Sequence, residues 1–296
     1  MKSSLKADLM LLLVTLAWGS SYYLMDVALG EIGVFSLNAL RFLGAFIVAC
    51  IFFFGKIAHP SASTLLYSAA VGLALYLVYV GATFGVKYTS LSNSAFLCAL
   101  TVIFVPVIEF LIFRKKVRRR MFIATAVSLL GVMLLTMTDD FGINSAHLKG
   151  DFFCLMCAFF YACDLIMTDK AVQKPQVDAF QLGVYQLGFT GLFMLISSFP
   201  AGGIELPRSP SVIFAVVFLS LFCTGAAFII QAVAQQYTSA SHVGIIFTME
   251  PVFAEVVALF IAHERMSPKS AVGALLMFAA LLMAEIEPKK NRNGER

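Results

Sequence analysis

Charged residues are scarce in this 296-residue chain. Only 13% of the residues are Asp, Glu, Lys or Arg, whereas 60% are hydrophobic and the mean hydropathy is +0.90. A soluble domain of this length needs a more polar surface, so the composition excludes one. The net charge of +4 does not indicate nucleic-acid binding, because the basic residues fall between the apolar runs. The sequence therefore predicts a polytopic membrane protein without a nucleic-acid partner.

Motifs of intramembrane catalysis are also missing from the sequence. The chain contains no HExxH, no GxSxG and no pair of histidines within one apolar run. Cys154 and Cys157 have CxxC spacing, but no further ligands lie nearby on a loop, and all six cysteines fall inside apolar runs as small core residues. These absences argue against an enzyme, and we expect neither a cofactor nor a bound metal ion.

Long apolar runs make up most of the chain. They lack the polar alternation of barrel strands, and crossing a bilayer as a helix takes roughly 20 such residues. The first run continues through Trp18 and Gly19 without a small-x-small cleavage pattern, so we interpret it as a span and not as a signal peptide. The runs predict ten spans, at residues 8–25, 35–55, 65–86, 92–113, 120–138, 152–169, 178–199, 211–233, 241–262 and 268–286.

The basic residues are divided unequally between the two sides of the membrane. With a cytoplasmic N-terminus, fifteen Lys and Arg residues lie in inside segments, five lie in outside segments, and Arg41 lies within a span. Cytoplasmic segments of membrane proteins carry such an excess of Lys and Arg. The sequence predicts a multi-pass protein of the plasma (cytoplasmic or inner) membrane with both termini in the cytoplasm.

One stretch of the sequence occurs twice. Residues 88–120 and residues 237–265 both begin with Tyr-Thr-Ser, continue into an apolar run that contains Pro106 or Pro251, and end in charges. Proline removes a backbone donor and opens the helix one turn earlier. Broken helices at corresponding positions of two halves are typical of a transporter's binding site. We therefore predict a spanning helix with a break at its proline in each copy.

The repetition extends beyond this stretch. Asp8 to Asp26 and Asp151 to Asp169 are both eighteen residues apart, with an offset of 143 residues, and the Tyr-Thr-Ser stretches have an offset of 149. Spans 1–5 and 6–10 are then two copies of one unit, and an odd number of spans makes the copies cross the membrane in opposite directions. The predicted fold is an all-α integral membrane protein of ten helices in two inverted five-helix repeats. The predicted units are the repeats at 1–139 and 150–288 and a basic cytoplasmic tail at 289–296.

Several short motifs carry a resemblance to a known family. They are Trp18-Gly19-Ser20-Ser21, Arg41-Phe42, Ser92-Asn93-Ser94-Ala95-Phe96 with Pro106, Gln231 with Tyr237-Thr238-Ser239, Met249-Glu250-Pro251-Val252-Phe253 and His263-Glu264-Arg265. In these motifs the sequence resembles the EamA family of the drug/metabolite transporter superfamily, over nearly its whole length. It departs from the family pattern at His263, Glu109 and Asp164.

The resemblance implies a function as well as a fold. Members of the family look like ten-helix carriers of small metabolites, many of them amino-acid exporters, with a central cavity between the repeats. We therefore expect an exporter or exchanger of amino acids or amino-acid-sized amphipathic solutes that works by alternating access. A carrier of nucleosides, polyamines, sugars or drug-like compounds is the alternative, followed by a non-transporting receptor or scaffold. The expected partners are the small-molecule substrate, the lipid bilayer and, as a candidate coupling ion, the proton.

Carboxylates inside a span are costly in lipid and are functional candidates by default. Glu250 stands directly before Pro251, where it could bind a substrate ammonium or a proton, and a cap on the broken backbone is an equal alternative. Glu255 lies about 140° further round the helix and faces elsewhere. Asp164, deep in span 6, could bind substrate or hydrogen-bond a neighbouring helix.

Aromatic rings in register with the motifs and neutral amides complete the predicted site. Amides suit a polar substrate, but they also join helices. The predicted substrate-binding residues are Trp18, Ser21, Tyr79, Asn93, Tyr161, Asp164, Gln186, Gln231 and Glu250.

Two other charges within spans receive structural interpretations. Arg41 can snorkel or pair with Asp26 or Glu31, and an ion pair is the expected outcome. Glu109, near the inner end of span 4, is expected to partner the basic loop that follows it.

Overall fold

Apolar runs in lipid must satisfy their backbone hydrogen bonds within one segment, and a helix does so. The computed structural model describes residues 2–89, 91–114, 119–136, 148–257 and 268–285, with the backbone alone at 2–4, 91–93, 135–136, 254–257 and 284–285. The predicted spans are helical throughout these residues, apart from short interruptions. The all-α fold is confirmed.

The helices follow one another with short connections. They are α1 (Lys2–Gly19), α2 (Ser21–Leu29), α3 (Val34–Ile57), α4 (Ala62–Tyr88), α5 (Leu91–Ala99), α6 (Thr101–Phe113), α7 (Arg119–Thr136), α8 (Leu148–Val172), α9 (Ala179–Ser198), α10 (Pro210–Ser220), α11 (Ala227–Ala234), α12 (Ala240–Phe247), α13 (Glu250–Val257) and α14 (Pro268–Glu285). A 3₁₀ turn, Phe199–Ala201, extends α9, and a π-helical turn, Leu221–Ala226, joins α10 to α11.

Seven helical segments within the described residues are long and apolar enough to cross a membrane. They are Leu5–Leu29, Val34–Ile57, Ala62–Tyr88, Ser94–Phe113, Leu148–Val172, Ala179–Ala201 and Pro210–Ala234. These segments cover predicted spans 1–4 and 6–8. Helix α7, the pair α12 and α13, and helix α14 lie where the other three spans were predicted, and the count of ten stays a prediction.

Within the part of the chain that the structure describes, three spans are interrupted near the middle by one or two residues. Helix α1 gives way to α2 at Ser20, α5 to α6 at Leu100, and α12 to α13 at Thr248 and Met249. Leu100 and Met249 lie 149 residues apart, which is the offset of the two Tyr-Thr-Ser stretches. The third interruption is the one predicted at Pro251, which stands in the first turn of α13, where a missing N–H is tolerated.

The break predicted at Pro106 is wrong in its position. Helix α6 runs through Pro106 without interruption, and the chain breaks earlier, at Leu100. The reason is a tertiary contact: the single hydroxyl hydrogen of Thr101 is shared between the carbonyl of Cys98, at 2.8 Å, and that of Ala158 on α8, at 3.2 Å. This contact stabilises the break against α8, whereas one lost donor at proline is tolerated within the helix.

A hydroxyl group accompanies every one of these interruptions. Ser20 donates to the carbonyl of Ala17 at 2.8 Å, and Thr248 donates to that of Ile245 at 2.7 Å. Thr101 makes the equivalent bond in the second break. Carbonyls released from a helix in lipid need such partners, because water is not available to them.

Glycine allows close contact between helices α4 and α8. The Gly81-x-x-x-Gly85 pattern favours close approach, and α4 lies directly against α8: a Cβ added to Gly81 would stand 2.6 Å from the carbonyl oxygen of Phe153 and 2.8 Å from the nitrogen of Cys157. Helices α3 and α9 also pack together, as do α7 and α14. These last two pairs join the second and the fifth spans of the two predicted repeats.

The connection after α2 is tied to the segment before α10. Glu31 accepts hydrogen bonds from the Ser209 hydroxyl and the Arg208 backbone N–H, and the Gly33 N–H donates to the Glu205 carboxylate. The bonds from Ser209 and Arg208 lower the pKa of Glu31 from its ordinary value. These contacts join two distant parts of the sequence outside the spanning helices.

Candidate functional site

A cavity lies where the interrupted helices meet. It holds about 770 Å³ of space free of protein atoms, its open mouth included. Residues beside all three interruptions face it, namely Ser21, Thr101, Thr248 and Glu250. The interruptions therefore bring polar groups into a wall that is otherwise apolar.

Helices from both predicted repeats contribute to the cavity wall. The lining residues are Trp18, Ser21, Tyr22, Met25, Val78, Tyr79, Ala82, Ala95, Cys98, Ala99, Thr101, Cys157, Tyr161, Phe228, Gly244, Phe247, Thr248, Glu250 and Pro251. The cavity is therefore bounded by both predicted repeats.

Trp18 is the centre of the aromatic part of the wall. The centroid of its ring lies 4.9 Å from that of Phe247, 5.5 Å from that of Phe228 and 6.0 Å from that of Tyr161. Tyr79 extends this group through Phe228, with centroids 5.9 Å apart. Edge-to-face and tilted contacts are favourable for aromatic rings, so the rings hold one another in place.

A hydrogen bond fixes Trp18 to the π-helical turn. Its indole N–H donates to the carbonyl of Cys223 at 2.8 Å. A π turn departs from the ordinary helical hydrogen-bond pattern and is frequent at functional sites. Because Trp18 is only 5% exposed, an unpaired indole donor would be costly, and the π turn supplies the acceptor.

Glu250 begins helix α13 and faces the cavity. Tyr22 lines the same cavity. The N-terminus of a helix favours a negative charge, which suits a carboxylate at this position. In the cavity this group could receive an ammonium group or hold a proton.

A chain of polar side chains leads away from the cavity at Tyr161. The Tyr161 hydroxyl donates to Oε1 of Gln231 at 3.2 Å, and Nε2 of Gln231 donates to Oδ2 of Asp164 at 3.1 Å. Gln235 continues the chain by donating to the carbonyl of Leu165 at 2.9 Å. These bonds join α8 to α11, one layer behind the cavity wall.

The structure separates the nine predicted substrate-binding residues into three groups. Those that line the cavity are Trp18, Ser21, Tyr79, Tyr161 and Glu250. Asp164 and Gln231 lie behind Tyr161, and Gln186 is buried with its Nε2 3.4 Å from the carbonyl of Phe228. The side chain of Asn93 lies outside the described residues, as does that of Glu255.

Three polar lining residues were not selected from the sequence, namely Tyr22, Thr101 and Thr248. Thr101 lies 149 residues before Glu250, so the repeat offset could have identified it as the counterpart of that residue. Tyr22 directly follows the first motif. Thr248 had no comparable signal, since its role depends on the position of the helix break.

Arg41 does not form the expected ion pair. It is 1% exposed, and its Nε donates to the Thr224 hydroxyl at 2.8 Å. Its Nη1 and Nη2 have no hydrogen-bond partner within the described residues, so the predicted pairing with Asp26 or Glu31 is wrong. Helix α3 turns this side chain inward to the π turn, and Glu31 bonds Ser209 instead.

Glu109 is held by a contact between helices. It is buried and accepts a hydrogen bond from the Ser241 hydroxyl at 2.5 Å, which joins α6 to α12. Most of the basic loop that was expected to partner it, residues 115–118, lies outside the described residues.

Comparison with known families agrees with this architecture. A model of the EamA-like transporter family matches residues 5–137 and matches again at residues 148–285. The chain belongs to the EamA-like transporter family. As a member of that family, it is a multi-pass membrane transporter.

Similar proteins come from archaea and bacteria. Two uncharacterized transporters of Archaeoglobus fulgidus are 26% identical over 95% of this chain and 86% of the relative, and 24% identical over 94% of this chain and 96% of the relative. An uncharacterized transporter of Bacillus subtilis is 22% identical, with the same two coverages of 94% and 96%. The name "transporter" is common to all three.

A solved crystal structure has the same fold. It superimposes with a TM-score of 0.77 at 16% sequence identity, and the match covers 94% of this chain and 96% of the other. At this identity the likeness supports the fold alone.

Proposed function

We propose that this EamA-like protein carries amino acids, or amphipathic solutes of amino-acid size, by alternating access between its two repeats. The observation that carries the proposal is the cavity at the helix interruptions, where Glu250 faces the aromatic group formed by Trp18, Tyr79 and Tyr161. A carboxylate attracts an ammonium group, and aromatic rings accept both an apolar side chain and a cation.

The charge of the cavity supports the same class of substrate. Glu250 repels a polyanion, and Arg41 is the only Lys or Arg that lies inside a predicted span and more than two residues from its ends. Nucleotides and sugar phosphates would therefore lack the several cationic groups that bind phosphates well.

The interruptions suit a carrier that changes conformation. Leu100 and Met249 occupy equivalent positions of the two repeats, and residues beside both breaks face the cavity. In the proposed mechanism one repeat moves against the other around this site. We propose export or exchange across the plasma or inner membrane, with both termini of the chain in the cytoplasm. The candidate coupling ion is a proton that binds at Glu250.

A cationic substrate without a carboxylate is the second candidate. Glu250 is the one carboxylate among the described lining residues, and the rings beside it could hold a polyamine or a drug-like amine through cation–π contacts. Both candidate functions require Glu250, which would bind the substrate's positive charge. They differ in whether transport requires a carboxylate on the substrate.

A flux assay tests the proposal. Purified protein in proteoliposomes is offered labelled amino acids, polyamines, nucleosides and sugar phosphates, and we expect uptake of amphipathic amino acids. Glu250→Gln, which is nearly isosteric, should abolish that flux while the protein stays monodisperse. Asp26→Asn, at an exposed position near the end of α2, removes a negative charge elsewhere and should transport normally. Selective transport of sugar phosphates would overturn the proposal.

A further inference from the structure

Arg41 is a buried cation with free hydrogen-bond donors. It is 1% exposed, and Nη1 and Nη2 find no partner within the described part of the chain. A buried charge with unpaired donors is costly, so a structure that retains one needs a reason. The two free nitrogens form a planar fork whose geometry matches a carboxylate.

The position of Arg41 is fixed from two sides. Its Nε donates to the Thr224 hydroxyl at 2.8 Å, and Cζ lies 4.7 Å from the centroid of the Tyr79 ring. Tyr79 lines the cavity, whereas Arg41 does not reach the lining. The Tyr79 side chain therefore stands between the guanidinium and the cavity, and its displacement would open a path between them.

The π-helical turn connects Arg41 to the cavity wall. Two adjacent residues of the π turn accept hydrogen bonds from different side chains. The Cys223 carbonyl accepts from the Trp18 indole, and the Thr224 hydroxyl accepts from the Arg41 guanidinium. The guanidinium is therefore held in a fixed relation to the central ring of the aromatic wall. Tyr79, whose ring contacts Arg41, lines the same cavity as Glu250.

The amides that the sequence suggested for a polar substrate already make hydrogen bonds within the protein. Nε2 of Gln231 donates to Asp164 and to Oε1 of Gln235, and Nε2 of Gln186 donates to the carbonyl of Phe228. The atom of Gln186 without a partner among the described residues is Oε1, an acceptor that repels a carboxylate. Arg41 differs from both amides, because its two terminal nitrogens have no hydrogen-bond partner at all among the described residues.

Arg41 and Gln186 lie at corresponding positions of the two predicted repeats. Gln186 follows Arg41 by 145 residues, between the two repeat offsets, and occupies the corresponding place on α9. Both side chains contact the same helix one turn apart, at Thr224 and at Phe228. At this position the first repeat therefore carries a cation and the second repeat carries a neutral amide. The two repeats differ in charge here.

We infer that Arg41 is the carboxylate-binding residue of the substrate site and that Tyr79 covers it until substrate enters. The inference rests on the proposed function and deepens it. A zwitterionic solute binds with its ammonium group at Glu250 and its carboxylate on the Nη1 and Nη2 fork, with the Tyr79 ring displaced. This arrangement selects amino acids over amines of the same size.

Three related probes isolate the carboxylate. Leucine carries both charges, leucinamide lacks the carboxylate, and 4-methylpentanoate lacks the amine. Their affinities are measured on the purified full chain by thermal shift and calorimetry. Arg41→Gln should weaken leucine about a hundredfold, as expected for two charge-assisted hydrogen bonds, and leave leucinamide unchanged. Arg208→Gln, the same charge change at an exposed arginine, should affect neither probe.

Arg41→Lys keeps the experiment decisive if Arg41→Gln does not fold. Lysine retains the charge without the fork, so leucine should weaken about tenfold relative to leucinamide. Equal losses for the two probes, or no loss, would overturn the inference. If the wild-type protein binds no amino acid, the proposed substrate class is overturned instead. In that case 4-methylpentanoate tests Arg41 alone. The binding of 4-methylpentanoate must then depend on Arg41, and any other result rejects the assignment of Arg41.

Discussion

Asp164 and Gln231 are joined by a hydrogen bond of 3.1 Å between Oδ2 and Nε2, one layer behind the cavity. Gln231 also accepts a hydrogen bond from Tyr161, which lines the cavity. Asp164 is fully buried, and its Oδ1 has no partner among the described residues. In this conformation Asp164 therefore reaches the cavity through Gln231 and Tyr161, and not by direct contact.

This chain of bonds predicts coupling between its two ends. Asp164→Ala leaves Nε2 of Gln231 without its main acceptor and should cost about 1–3 kcal/mol of stability, and Tyr161→Phe about 1 kcal/mol. The two changes together should depart from additivity by at least about 0.5 kcal/mol. Denaturation of the two single variants and the double variant measures this coupling.

Ser68→Ala, at a buried position of α4, is the control, and its effect on stability should be additive with that of Tyr161→Phe. Additive losses for Asp164 and Tyr161 would contradict the proposed connection.

Close packing of α4 on α8 predicts a strong effect of one methyl group. Gly81→Ala places a Cβ 2.6 Å from the Phe153 carbonyl oxygen, so the helices must separate, and stability should fall by about 1–3 kcal/mol. Gly55→Ala is the matched control, because nothing lies within 4 Å of its added Cβ and alanine is favoured over glycine in a helix by about 0.5–1 kcal/mol. Thermal unfolding in one detergent measures both. Equal effects at the two positions would contradict the close contact.

The contacts of Glu31 predict a pH-dependent contribution to stability. The hydrogen bond from Ser209 is the main cause that lowers the pKa of Glu31. A lowered folded-state pKa means that the contribution is complete above the unfolded value of about 4.3 and is lost as pH falls through the lower folded value. The melting temperature of the wild type should therefore exceed that of Glu31→Gln at neutral pH, and the difference should vanish in acid.

Ser209→Ala provides the control for this pH effect. It removes the hydroxyl that contributes most to the shift. In the Ser209→Ala protein, Glu31→Gln should therefore lower the melting temperature at neutral pH by less than it does in the wild type. A difference between the wild type and Glu31→Gln that persists unchanged in acid would show that Glu31 acts through some other contact.

The distribution of basic residues predicts the orientation of the chain. Reporter fusions after Phe113 and at the C-terminus should both report the cytoplasm, because positive charge concentrates in those segments. A fusion in the connection between α9 and α10 should report the opposite side and serves as the control. A C-terminus on the outer side would mean that the span count is wrong by one.

The sequence was most informative where a pattern is local or repeated. The Tyr-Thr-Ser offset and Pro251 predicted the interruption before α13, and the motif marked Glu250 as a candidate. The structure then showed that Glu250 faces the cavity. The interruption before α6 could not be placed in the same way. Its position depends on a bond from Thr101 to Ala158, which lies 57 residues away in the chain.

Composition, charge distribution and internal repetition determined that this chain is a helical membrane protein with its candidate site between two halves. Lipid permits few backbone structures, and polar residues inside a span are rare because they are costly there. Only the tertiary structure decided which polar groups face the cavity. Arg41 and Gln186 occupy corresponding positions in the repeats, yet among the described residues the Gln186 amide nitrogen has a hydrogen-bond partner and the terminal nitrogens of Arg41 have none. The reason is physical: a side chain's partners are set by the helices packed against it, and those neighbours are distant in sequence.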